Sequence, residues 1–216
     1  MPTVTAAPRP DFNEINQIGW DAADPHGSPR SQPPKNWFIH TQEGDGNAEQ
    51  LAAYLRSTKG SAAVSYHYTI HEDPNDHGVT VCDVIDTDLY SWAVLNANVF
   101  SINACFASSR AAWTRDQWIA TMRNAIRVAA YLAVEDAKKY PTISANVILP
   151  PYLNPGSGLS DHRYVTQALK IGTHTDVGGP TAPPWNGFPW DLYASDVQSF
   201  IGVPVADTGS APPPAV

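Results

Sequence analysis

The sequence predicts one α/β domain with a central mixed β-sheet flanked by helices. Three observations predict it. Strand-like and helix-like periodicities alternate along the chain, which marks a sheet covered by helices. The 216 residues fit one core and leave no room for two large domains. Apolar residues make up 43% of the chain and charged residues only 16%, so enough surface can be buried to hold it folded.

The ends differ from the middle. Residues 1–10 (MPTVTAAPRP) and 207–216 (DTGSAPPPAV) are rich in Pro, Ala, Thr and Ser and read as linker tails of a domain spanning 11–206, a module that can sit beside flanking domains. Residues 36–40 (NWFIH), an apolar run after Pro33 and Pro34, predict a buried strand. Asn47 with Gln50 three residues on is a capping box; Leu51, Tyr54 and Leu55 then share a helix face that ends at Lys59 and Gly60. Residues 63–71 and 79–85, rich in Val, Ile, Tyr and Thr, flank a polar segment and predict a β-hairpin. Residues 99–107 read as a further strand. Thr114 and Gln117 open a long helix to about Tyr140, with Trp118, Met122, Ile126, Ala129 and Ala133 in its apolar stripe and Pro141 as its stop. A strand over 143–149, a Gly/Pro-rich stretch over 150–189 and a last helix over 191–200 complete the order. There is no internal repeat.

Charge and composition exclude several functions. Thirteen basic against twenty-one acidic residues leave a net charge of −8, and no Lys/Arg-rich run offers a footprint for phosphate backbones, so nucleic acid is not a partner. No stretch approaches the roughly 20 apolar residues of a membrane span, and the first thirty residues lack a basic-then-apolar signal pattern. Cys82 and Cys105 both sit in apolar strand-like runs, which favours buried free thiols over a disulfide framework.

The histidines carry the chemical signal. His40 ends the first strand, while His162 and His174 lie in the irregular region with Asp176 two residues beyond His174. A strand-end His with a His and an Asp from distant loops supplies three ligands, the count that leaves a catalytic zinc one open position. His67, His71 and His77 form a rival cluster, but no carboxylate constellation goes with them. Tyr66 and His67, as neighbours in a strand, point to opposite faces, which makes His67 a packing residue.

Five words occur in one order: WFIHTQEG (37–44), VSYHYTI (64–70), NANVFSINACFA (96–107), SDHRYV (160–165) and GTHTDVGG (172–179), followed by FPWDLY (188–193). With the helix from 114, they resemble the type 2 N-acetylmuramoyl-L-alanine amidases, whose zinc amidase fold is shared with peptidoglycan recognition proteins. The resemblance spans about 36–202. Its HTD and FPWD elements are most similar to the amidase modules of mycobacteriophage endolysins. It implies a Zn²⁺ held by His40, His162 and Asp176, with Tyr66 and His174 as catalytic residues that stabilise charge developing on oxygen. His174 and Asp176, both competent ligands two residues apart, can exchange these roles. A glutamate that some members carry falls on Cys105 here, and the usual histidine after the second hairpin strand is missing, since Trp92 is followed by Ala93. Glu43 is close to His40 in sequence but reads as solvated surface.

The activity implied is hydrolysis of the amide between N-acetylmuramic acid and L-alanine in bacterial peptidoglycan, as a phage endolysin-type lytic module. The alternative is a non-catalytic peptidoglycan-binding module of the same fold. Such a lysin is produced in the host cytoplasm without a signal peptide and acts at the cell wall. Trp92, Trp185, Trp190 and Tyr193 are candidate flat surfaces, with Trp185 read as the exposed one and Trp190 with Phe188 as anchors of the last helix. Asn96 and Asn98 read as cleft or turn residues, and 178–184 as a cleft rim.

Overall fold

The computed structural model describes residues 5–19, 26–178 and 187–202. Its elements in chain order are β1 (Asn13–Asn16), β2 (Gly27–Pro29), β3 (Asn36–Thr41), α1 (Ala48–Ser57), β4 (Tyr68–Glu72), β5 (Val79–Asp83), β6 (Leu89–Ser91), β7 (Ser101–Phe106), α2 (Arg115–Lys139), β8 (Gly158–Asp161), α3 (His162–Gln167) and α4 (Trp190–Ile201). Six strands form a mixed sheet in the order β1-β5-β4-β7-β3-β8; β4 and β5 are antiparallel and the other pairs parallel, while β2 and β6 form a separate antiparallel ribbon. The central mixed sheet predicted from the periodicities is present.

β3 and β7 lie at the centre, and every residue of both is buried. This explains why NWFIH and SINACF are near-continuous apolar runs: helices cover both sheet faces. On one face Trp37, Ile39, Ile102, Ala104 and Phe106 pack under α2 and α4. On the other, Leu51 and Leu55 of α1 pack against Cys105. Both capping boxes form as read: Gln50 N–H and Gln117 N–H donate to the side chains of Asn47 and Thr114. Phe188 and Trp190 anchor α4, with ring centroids 4.8 Å apart and both side chains buried. Both cysteines are free and buried.

Several elements differ from the sequence reading. The strand expected over 63–71 begins only at Tyr68. Before it, Ser65 N–H and His67 N–H donate to Trp92 O and Asn103 O, so this stretch bonds to a loop and to β7, and only His67 O, which accepts Val84 N–H at 2.8 Å, still meets the hairpin partner. The strand expected over 143–149 reduces to a single bridge, Val147 with Leu159, and the two prolines that follow cannot extend the ladder. β8 and α3 instead arise inside the Gly/Pro-rich stretch. Tyr54, expected on the buried face of α1, is 60% exposed. The long helix is two helices merged at Met122 (φ −140°, ψ 18°); Glu72 Oε2 accepts the N–H groups of Asn124 and Ala125 at 2.7 and 3.0 Å and so caps the second segment.

The segment read as an N-terminal tail meets the body from Ala7 onward. Ala7 N–H donates to Ser199 O at 2.8 Å, and Arg9 stacks over Phe12. Residues 207–216, Trp185 and the rim beyond Gly178 up to Pro184 lie outside the described residues.

Candidate metal centre

Strand register brings together the two histidines expected as metal ligands. β3 and β8 run parallel with Ile39 opposite Asp161, so the next residue of each chain, His40 and His162, emerges at the carboxyl end of its strand beside the other. Their ring centroids are 4.7 Å apart. Carboxyl ends of parallel strands are where α/β sheets place ligands. Asp161 ends β8 and turns the chain: its Oδ1 accepts Tyr164 N–H at 3.1 Å, which caps α3 and sets His162 as the first helical residue. The same buried carboxylate accepts Arg163 Nε at 2.9 Å and Tyr152 OH at 2.7 Å.

Asp176 arrives from the loop after α3, pinned by Arg163 N–H donating to its carbonyl at 3.1 Å. Its two oxygens divide between the histidines: Oδ2 is 3.2 Å from His40 Nδ1 and Oδ1 is 3.2 Å from His162 Nδ1. The ligand atoms of His40, His162 and Asp176 lie within 4.8 Å of one another, the one such group of metal-ligating residues among the described residues. The rival cluster does not form: His77 Nδ1 pairs with Glu72, and His67 Nδ1 accepts Asn103 N–H. His67 is fully buried, as expected of a packing residue, and burial with Arg30 nearby pushes its pKa down to about 3.

The chemistry of the three groups fits a divalent cation. His40 Nδ1, the nitrogen that faces Asp176, is a buried polar atom with no hydrogen-bond partner, a costly arrangement unless something binds there. Ligands at about 2.0–2.1 Å from a tetrahedral zinc stand roughly 3.3 Å apart, close to both carboxylate–imidazole distances here. Burial pushes the His162 imidazole down to about 4, against the pull of Asp176, so it is neutral and able to ligate. Burial acts to raise Asp176, but the close imidazoles of His162 and His40 outweigh it and hold the carboxyl well below its usual range. At neutral pH it is ionised.

The two further predicted site residues flank this group. The Tyr66 ring lies 4.8 Å from the His40 ring; burial, together with Cys105 and Asp176, raises its phenol well above the usual range, so it keeps its proton. The His174 ring stacks on His162 at 3.6 Å and 16°, and burial lowers its pKa. His174 N–H donates to Thr166 Oγ1 at 2.8 Å. The loop reaches this position through Gly172, whose φ of +69° suits glycine, and a Cβ there would sit 2.8 Å from the His174 ring.

Beside Tyr66 opens a cleft of about 320 Å³ lined by Leu51, Leu55, Val64, Gln42 and Cys105. Glu43 is exposed at its rim, and its Oε1 accepts Ala111 N–H at 2.6 Å. Asn98 is a turn former, since its Oδ1 accepts the N–H groups of Ala93 and Val94. Sequence reasoning missed Asn103, which meets His40 at 3.0 Å, and the Asp161–Arg163–Tyr152 network. Only the pairing of β7 with β3 could have revealed the first.

No family model matches the sequence, and no curated protein matches it. Solved structures do. The chain is similar to the Staphylococcus aureus hydrolase AmiA in complex with its ligand, at 15% identity and a TM-score of 0.65, over 90% of this chain and 85% of that one. It is similar to the Ph2119 endolysin of a Thermus scotoductus bacteriophage, at 14% identity and a TM-score of 0.54, over 86% and 99%. The catalytic domain of XlyA matches at the same identity, TM-score and coverage. The likeness is one of fold: the chain has the zinc amidase, peptidoglycan recognition protein-like fold that the sequence words implied.

Proposed function

We propose that the chain is a zinc-dependent N-acetylmuramoyl-L-alanine amidase, a lytic module of the endolysin kind that acts at the bacterial cell wall. On the HTD and FPWD words, that kind is the mycobacteriophage one. The observation that carries this reading is the convergence of His40 and His162, at the carboxyl ends of parallel strands, with Asp176 from the following loop, where His40 Nδ1 is buried without a hydrogen-bond partner. The hydrolase and endolysin structures of the same fold support it. The Pro- and Ala-rich segment over 207–216 would act as a linker. Among the described residues no helix is long and apolar enough to cross a membrane.

His40, His162 and Asp176 hold the ion. Asp176 is the better third ligand than His174, because it faces both imidazoles at 3.2 Å while the His174 ring lies face to face with His162. When bound, zinc supplies Lewis acidity toward the lactyl carbonyl and lowers the pKa of a water to about 7. Tyr66 keeps its proton at neutral pH and donates a hydrogen bond to the oxygen on which charge develops. His174, stacked on His162, acts as a second donor. Leu51, Leu55 and Val64 give the cleft an apolar wall that excludes water and seats the start of the peptide stem. With a net charge of −8, binding to the wall is local and polar, not steered by the field of the whole chain.

Metal analysis with mass spectrometry of digested peptidoglycan tests the reading. About one zinc per chain and release of intact stem peptides beginning with L-alanine are expected. Asp176→Ala should abolish release, and full activity in that variant would remove Asp176 from the ligand set. Zinc-free binding of muropeptides without cleavage would make the chain a recognition module instead.

A further inference from the structure

His40 has two ring nitrogens, and the site needs one of them bare. A buried chain of hydrogen bonds around Asn103 decides which. Phe38 pairs with Asn103 across β3 and β7, so His40, two residues on, shares the sheet face of the Asn103 side chain. Ser101 Oγ donates to Ala97 O at 2.9 Å and has only acceptor capacity left. The amide nitrogen of Asn103 donates to that oxygen at 3.1 Å and to Ser91 Oγ at 3.1 Å. The amide is thereby oriented with its oxygen toward His40 Nε2, 3.0 Å away. An amide oxygen can only accept, so Nε2 carries the proton. Nδ1 is left as the lone pair facing Asp176. Asn103 is fully buried.

We propose that Asn103 is a positioning residue that selects Nδ1 of His40 as the metal-binding nitrogen and holds the ring in its plane. This rests on the metal reading above. Such outer partners of ligating histidines typically contribute 10–100-fold to metal affinity. Nothing else in the described residues contacts His40 Nε2 by hydrogen bond, so the whole effect runs through one amide.

Two measurements on the full chain test it. Loaded with NMR-active cadmium, the unaltered protein should show coupling from the metal to Nδ1 of His40 and a proton on Nε2; coupling to Nε2 would overturn the proposal without any variant. Zinc affinity, read by competition with a chromophoric chelator, should weaken about 10–100-fold in Asn103→Leu while the far-ultraviolet circular dichroism is unchanged. If that variant does not fold, the milder pair Ser91→Ala with Ser101→Ala takes its place, since it frees the amide to flip and should weaken zinc several-fold. Unchanged affinity in a folded variant refutes the role of Asn103 alone. Failure of the unaltered chain to bind zinc refutes the metal reading and the proposal with it.

Discussion

Asp136 makes stability fall as pH rises, against the usual behaviour of carboxylates. It lies in α2 beneath the sheet, 5% exposed, where Oδ2 accepts Trp37 Nε1–H at 2.9 Å and Oδ1 accepts Tyr68 OH at 3.2 Å. Burial pushes its pKa from the usual 3.8 up to about 7, although the two hydrogen bonds and the charges of Lys139 and Arg30 pull the other way. The sign follows from proton counting. Between those two values the folded chain keeps a proton that the unfolded chain has released, so raising the pH favours unfolding. Across that interval, at about 1.4 kcal/mol per pH decade, the loss reaches about 4 kcal/mol and stops above pH 7. The assay is urea unfolding from pH 4 to 8 for the unaltered chain and for Asp136→Asn, whose amide does not titrate. Other carboxylates titrate in both proteins and cancel in the difference between them. The stability advantage of the unaltered chain over the variant should shrink steadily with rising pH, by up to about 4 kcal/mol. A difference that is flat, or that grows with pH, would refute burial as the dominant influence on Asp136.

Other consequences are local. Glu72→Ala strips the acceptor from Asn124 and Ala125 N–H at the break in α2 and should cost about 2–3 kcal/mol in urea unfolding, whereas Glu72→Gln should recover part of it. Gly187→Ala drives a Cβ into Trp113 O, a backbone atom that cannot move aside cheaply; a fall in melting temperature of several degrees is expected, and an unchanged one would show that α4 docks differently. Tyr66→Phe should lower kcat on peptidoglycan by about 10²–10³ with little change in KM or zinc content, and a loss of zinc would mean that Tyr66 builds the site without acting in the reaction.

The elements that were legible in the sequence are those whose signal is local. Both capping boxes, the buried runs of β3 and β7 and the stripe of α2 rest on spacings of a few residues, and all formed. β8 was not legible, because GLSD has no alternation or branched residues to announce it and exists as a strand only because β3 offers an open edge. The break at Met122 was hidden for the same reason: its cause is Glu72, some fifty residues away in sequence. Tyr54 misled because helical spacing places a residue on a face without saying whether anything covers that face.

The site divides along the same line. Which residues form the candidate cation site, His40, His162 and Asp176, was readable from the order of short words along the chain. Which atoms meet was not. The adjacency of His40 and His162 comes from parallel register between β3 and β8, and the facing of Nδ1 toward Asp176 comes from an amide on the neighbouring strand. Caps, turns and stripes are written in the near neighbourhood of each residue, where the chain is in contact with itself whatever else it does. Distances between strand ends and the choice of a ring nitrogen depend on segments that meet only when the core has been buried, and only the folded chain decides them.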